Sequence, residues 1–200
     1  MIAALFVIKN GCYYGLENVD PWDIDRDAMK YDGPHPVVAH PPCNLWGNFA
    51  FVNYKRWGGE HNKPGNDGGM FEHAVYCVEN YGGVLEHPAY TRAFDCYGID
   101  KPIKGQWTQS GKGWVCEVWQ SAYGHRANKK TWLYYVGPKP FDLDWSTPVS
   151  EYQIGFHDQR GKERNKPTLP AKERKATPVK FRDTLIKLAN LSATTQKILR

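Results

Sequence analysis

The chain has no CxxC pair, no internal repeat, no surplus of acid, and no apolar run near the roughly 20 residues that a membrane-spanning helix needs. Each absence removes a class of protein. Without a long apolar run, no membrane partner is expected. Without paired spacing, the five cysteines (Cys12, Cys43, Cys77, Cys96 and Cys116) read as free thiols rather than a disulfide framework. No leader pattern precedes them, so the expected compartment is a reducing cytoplasm. The net charge of +5 leaves an anionic partner such as nucleic acid open, and nothing in the chain speaks to oligomeric state.

What is present suits one domain. A chain of 200 residues with 41% hydrophobic content can bury a substantial core. Its eight Trp and twelve Tyr are many for this length, and aromatics in loops can stack on nucleobases. The stretches "AALFVI" (3–8) and "PVVAH" (36–40) read as buried strands. In "MFEHAVYCVENY", Phe71, Ala74, Val75 and Val78 fall on one helical face, and "GGVLEHP" follows as a strand between glycine and proline stops. Strand, helix, strand in this order predicts a right-handed parallel crossover, with Cys43 and Glu86 at carboxyl ends of strands, where open α/β sheets bind ligands. "WVCEVWQ" (114–120) and "TWLYYVG" (131–137) are two further strands around the hinge "SAYGHRANKK". "TPVKFRDTLIKLANL" predicts a closing helix, with Thr177 as its cap and Pro178 in its first turn. Residues 44–69 show no period and read as a long functional loop.

Charge is concentrated late in the chain. Between Gly155 and Arg182 stand nine Lys and Arg against three acidic residues, among them Arg160, Lys162, Arg164 and Lys166. Such a segment is either a solvated connector or an arm that follows phosphates. At the other end, "HPPCNLWG" leaves a strand through two prolines directly into Cys43. Alone, that turn fits a core thiol better than a nucleophile.

Order and spacing then become informative. Pro-Pro-Cys43, Glu86 in "LEHP", and "YGHRANKKTWLYYVG" from Tyr123 together resemble the cytosine-C5 DNA methyltransferases. That family carries a Pro-Pro-Cys loop, a Glu-Asn-Val strand end and a Tyr-Gly stretch with arginines leading into a strand, in this order. "ALFVIKNGCYYGLENV" is similar to its first motif at Leu5, Phe6, Gly11, Gly15 and Leu16. "DPWDIDRDAMKY" is similar to its acidic second motif, with Asp23 or Asp25 in the ribose position, and "ATPVKFRDTLIKLA" to its last. Ala4, Ile8 and Asn10 stand where the family has an Asp and two glycines, Asn44 where it has Gln, and His87 where it has Asn.

The resemblance implies a Rossmann-like, mostly parallel catalytic core over 1–136, a basic loop segment over 137–176, and a helix over 177–200 packing back on the core. It implies modification of a pyrimidine in DNA, or in a nucleotide, at C5 through a Cys43 adduct at C6, in a bacterial or phage-infected cell. Glu86 would protonate the ring nitrogen, and Arg126, Lys129 or Lys130 would hold ring O2 or the nearby phosphate. S-adenosylmethionine would lie against Phe6, Gly11 and Asp25. Asn44, His87, His125, Lys129, Lys130, Arg160 and Lys162 would face the substrate, and the 44–69 loop would close over the base. No separate recognition domain fits between 137 and 176. Two rivals stand beside this. His40, Cys43, His87 and His125 all fall at strand ends or the hinge and would form a zinc site for a deaminase or hydrolase. A non-catalytic module would bind nucleic acid through the basic arm.

Overall fold

The computed structural model describes residues 1–154 and 166–196. Its centre is a seven-stranded sheet of β1 (Ile2–Leu5), β2 (Val19–Trp22), β3 (Val37–Ala39), β4 (Gly83–Pro88), β5 (Thr108–Ser110), β6 (Gly113–Trp119) and β7 (Lys130–Val136). Spatial order is β2-β1-β3-β4-β7-β6-β5. The class is α/β as expected, but the sheet is mixed rather than mostly parallel. β1 pairs in parallel with β2 and β3, and β3 with β4. The other three ladders are antiparallel and include the two longest. The cause lies in the connections. The connection from β3 to β4, residues 40–82, includes a crossover helix, whereas β5 and β6 are joined by the tight turn at Gly111, which can only reverse the chain. Because β6 reverses against β7, and β7 against β4, strand β6 shares the direction of β1 to β4.

Helices cover both faces, which is why the central strands are apolar on both sides. Helix α2 (Met70–Tyr81) has the expected bounds and buries Phe71, Ala74, Cys77 and Val78 against Leu5, Val37, Ala39, Leu85, Trp132 and Tyr134. Asp67 fixes its start, accepting from the backbone N–H of Gly69 and Phe71. Gly83, at φ 117°, lets β4 begin flush against β3; a Cβ there would lie 2.0 Å from the carbonyl oxygen of Val37. On the opposite face lies helix α5 (Val179–Gln196). It sets Phe181, Leu185, Leu188 and Ala189 against Ile2, Ala4, Val38, Val84, Leu133 and Tyr135. Arg182 ties it to the first loop by donating to the Cys12 carbonyl at 2.8 Å. The short helix α3 (Arg92–Cys96) sets Ala93 and Phe94 into the α2-side cluster, and α4 (Ala171–Lys175) precedes α5 in the chain.

Two expectations need correction. β1 stops at Leu5, not Ile8, because Phe6 turns to φ 58°. The stretch 44–69 is not an irregular loop: it contains α1 (Asn48–Trp57) and a 3-10 turn at Glu60–Asn62. Its ends meet, Gly65 N–H donating to the Leu45 carbonyl at 3.0 Å and Trp46 Nε1 to Asp67 at 2.8 Å. The edge strand β2 carries Pro21 in its middle, paired in register with Ala4.

Candidate active site

Alternate residues of a strand share a face. His40 therefore lies on the α5 side with Val38, Glu86 with Val84, and Gln120 with Val118, all where β3, β4 and β6 run out. The side chains join. His40 Nδ1 is 2.9 Å from Glu86 Oε2, and His40 Nε2 is 2.8 Å from the Tyr13 hydroxyl. Gln120 Nε2 donates to Glu86 Oε1 at 3.1 Å and to Thr131 Oγ1 at 2.9 Å. A chain of five polar side chains from five segments thus crosses the carboxyl edge, with Glu86 at its centre and Gln120 wholly buried. The remaining amide oxygen of Gln120 is buried without a hydrogen-bond partner in the described structure, a spare acceptor beside Glu86.

Electrostatics give this chain a definite charge state. Burial alone would raise the Glu86 carboxyl, but the charge of Lys129 and the hydrogen bond and charge of His40 outweigh it and hold its pKa at about 2. Glu86 is a carboxylate, not the resting acid that the resemblance implies. Cys43 stands above it on the turn after Pro41 and Pro42, exposed to solvent. Crowding by the surrounding chain and the Glu86 carboxylate raise its thiol pKa, against Lys129 and Lys175, which pull the other way. The thiol is protonated at rest and is not pre-activated.

The other expected residues divide. Lys129 belongs to the site by its action on both Glu86 and Cys43. Asn44 is exposed on the Cys43 turn. Arg126 points elsewhere: its guanidinium is paired with Glu173 at 2.8 Å and sits 4.4 Å over the Tyr152 ring. Lys130 faces the opposite side of β7, 2.7 Å from the Tyr90 hydroxyl and 3.4 Å from Glu117. His87, one residue past Glu86, necessarily faces the α2 side, packed edge-on to Phe71, and burial lowers its pKa to about 4. His125 Nδ1 is held by the backbone of Ala127, 2.9 Å from its oxygen. His40, Cys43, His87 and His125 are therefore not gathered, and among the described residues no three His, Cys, Asp or Glu are placed to hold a metal ion. Arg160 and Lys162 lie outside the described residues.

The loop after β1 was the expected place for S-adenosylmethionine. Gly11 N–H donates to the Ile8 carbonyl at 2.9 Å, so this amide closes a turn instead of facing a ligand. Asp25 is paired with Lys9, and Asp23 accepts from the Tyr14 hydroxyl and from two backbone N–H groups of its own turn. Phe6 serves as packing against the α2-side core. The Gly11 amide and the two expected acids are thus already engaged, and these residues do not fit the cofactor.

Sequence reasoning missed Tyr13, Gln120 and Thr131. The signal available was alternation: Gln120 is two residues beyond buried Val118, as Glu86 is beyond Val84. No family model and no curated protein matches the chain. Among the described residues no helix is long and apolar enough to cross a membrane.

Proposed function

We propose that this protein activates cytosine, in a nucleic acid or nucleotide, by reversible addition of Cys43 to ring carbon C6, so that C5 exchanges its hydrogen with solvent. The observation that carries the reading is the placement of an exposed, proline-stiffened thiol in the joint field of a buried carboxylate, Glu86, and a cation, Lys129, at the carboxyl edge of the sheet. The common direction of β1 to β4 and β6 supports a methyltransferase-like arrangement, as does the resemblance of the motifs that meet at this edge.

The residues suit each step. The Cys43 S–H loses its proton to solvent, the C–S bond forms at C6, and the C5=C6 electron pair moves into the ring, where Lys129 offsets the charge gathering at O2. The Glu86 carboxylate is an acceptor, so it favours the exocyclic amino group of cytosine over the carbonyl that uracil has in its place, while buried Gln120 orients it from beneath. His40 and Tyr13 hold Glu86 in position. A solvent proton then adds at C5, and loss of a C5 proton with departure of the thiolate restores the base. This cycle needs no cofactor, in keeping with the occupied loop after β1.

The test is intact mass spectrometry with an oligonucleotide containing 5-fluorocytosine, together with exchange of the cytosine C5 hydrogen for deuterium in D2O. An adduct on Cys43 and exchange are expected, both lost in Cys43→Ser. That variant should change unfolding free energy by no more than roughly 1 kcal/mol, since the residue is exposed. A folded wild type that forms no adduct and exchanges no C5 hydrogen would overturn the reading.

A further inference from the structure

Helix α1 is a helix that almost nothing covers. Of its described side chains only Ala50 is buried, while Phe51 is 58% exposed, Val52 53% and Trp57 68%. A ten-residue helix is marginal by its own backbone bonding, and most helices of this length are held by a packed face. This one is instead pinned at its base by Trp46 and Gly65, and it rises from the chain five residues after Cys43.

We infer that α1 is a docking surface for a single strand of nucleic acid, whose bases stack on Phe51 and Trp57 as the strand passes Cys43. Charge is the first argument. The helix carries Lys55 and Arg56 and no carboxylate. Beside it, Arg92 and Lys63, the latter 3.4 Å from Glu60, line with Trp46 an open cavity of about 420 Å³ that lies away from Glu86. The second is how rings and cations are arranged. The Arg56 guanidinium lies 4.9 Å from the Trp57 ring centre, and that of Arg92 5.9 Å from Phe51. Phe51 and Trp57 lie about 120° apart around the axis at 100° per residue, and on the wider arc from Phe51 to Trp57 Lys55, Val52 and Arg56 follow at about 40°, 100° and 140°. Apolar and cationic side chains therefore interleave around the helix.

That pattern separates the occupants. A membrane surface needs an apolar face segregated from a basic one, which α1 lacks. A second copy of the chain would bring Lys55 and Arg56 against their own like charges. A single strand supplies both complements, phosphates for the cations and ring faces for the aromatics. The inference deepens the proposed chemistry by choosing a polymer over a free nucleotide, but strand binding is measured without it.

The experiment is fluorescence anisotropy of a labelled oligodeoxycytidine of roughly 15 nucleotides, a length that spans one such site. The double variant Phe51→Ala/Trp57→Ala should bind at least about tenfold more weakly, with an unchanged slope of log affinity against log salt. Lys55→Gln/Arg56→Gln should flatten that slope by about 1.4 units, roughly 0.7 for each lost phosphate contact. Both should keep wild-type circular dichroism and wild-type C5 exchange on a mononucleotide. Wild-type strand affinity in the aromatic variant overturns the inference. So does binding of the wild type to anionic lipid vesicles, or its self-association, if the aromatic variant abolishes that and leaves strand affinity intact. Cys43→Ser should bind the strand normally, so a strand that binds through α1 without adduct formation sinks the chemistry alone.

Discussion

The loops that leave β1 and β3 stand on the same sheet edge and are built in opposite ways. The loop after β1 is turned in on itself: Gly11 closes a turn on Ile8, Lys9 reaches across to Asp25, and Tyr14 to Asp23. The loop after β3 is turned outward, with Cys43 and Asn44 exposed above a buried carboxylate. Both bear a resemblance in sequence to motifs of the cytosine-C5 methyltransferases, yet only the second leaves its chemical groups accessible. A sequence motif records where a chain turns. Which groups remain free afterwards is decided by the partners that the fold delivers, here Asp25 to one loop and Lys129 to the other.

Three measurements would break or sharpen this contrast. The largest effect is expected at the open loop: Glu86→Gln keeps the shape but removes the carboxylate proposed to hold cytosine, and C5 exchange should fall by on the order of 10²-fold or more. Wild-type exchange in that variant would mean that Cys43 works without the chain beneath it.

Acid titration probes the same strand at two adjacent residues. His87 is depressed to about 4 from an ordinary 6.5, so its contribution is complete above pH 6.5 and is lost as pH falls from there towards 4. Glu86 is depressed to about 2 from 4.5, so its contribution is complete above pH 4.5 and disappears between there and 2. Each is on the order of 3 kcal/mol. Denaturant unfolding across pH should lose its upper portion in His87→Leu and its lower portion in Glu86→Gln. If both variants retain the wild-type curve, the charge states assigned to this edge are wrong.

The smallest effect belongs to the closed loop. Lys9 and Asp25 are well exposed, so Lys9→Met should leave both unfolding and C5 exchange unchanged. Calorimetry with millimolar S-adenosylmethionine should give no heat with the wild type. Micromolar binding would show that the loop opens readily and that its internal pairing is no barrier.

How much of this was legible in the sequence follows from what periodicity reports. Helix α2 and strands β4, β6 and β7 could be read to within a residue because each buries a regular face. Helix α1 was invisible for the same reason: it packs on little, so nothing constrains its apolar residues to one side. Cys43 and Glu86 could be picked out from local context. Their partners could not, since Tyr13 and Gln120 reach Glu86 and His40 only through strand order, and β7 had first to insert between β4 and β6. Arg126 illustrates the converse. Its motif context is local, but Glu173, 47 residues on, claims its guanidinium.

Pro21 in β2 has a meaning apart from the site. A strand at the rim of a sheet is a template on which any passing extended chain can grow, and a proline there withholds a donor from the row that such a chain would copy. At the opposite rim β5 is only three residues long. A crowded solution of this protein therefore meets two blunt sheet margins, and resistance to fibrillar growth is written into the outermost strands, independent of whatever its thiol does.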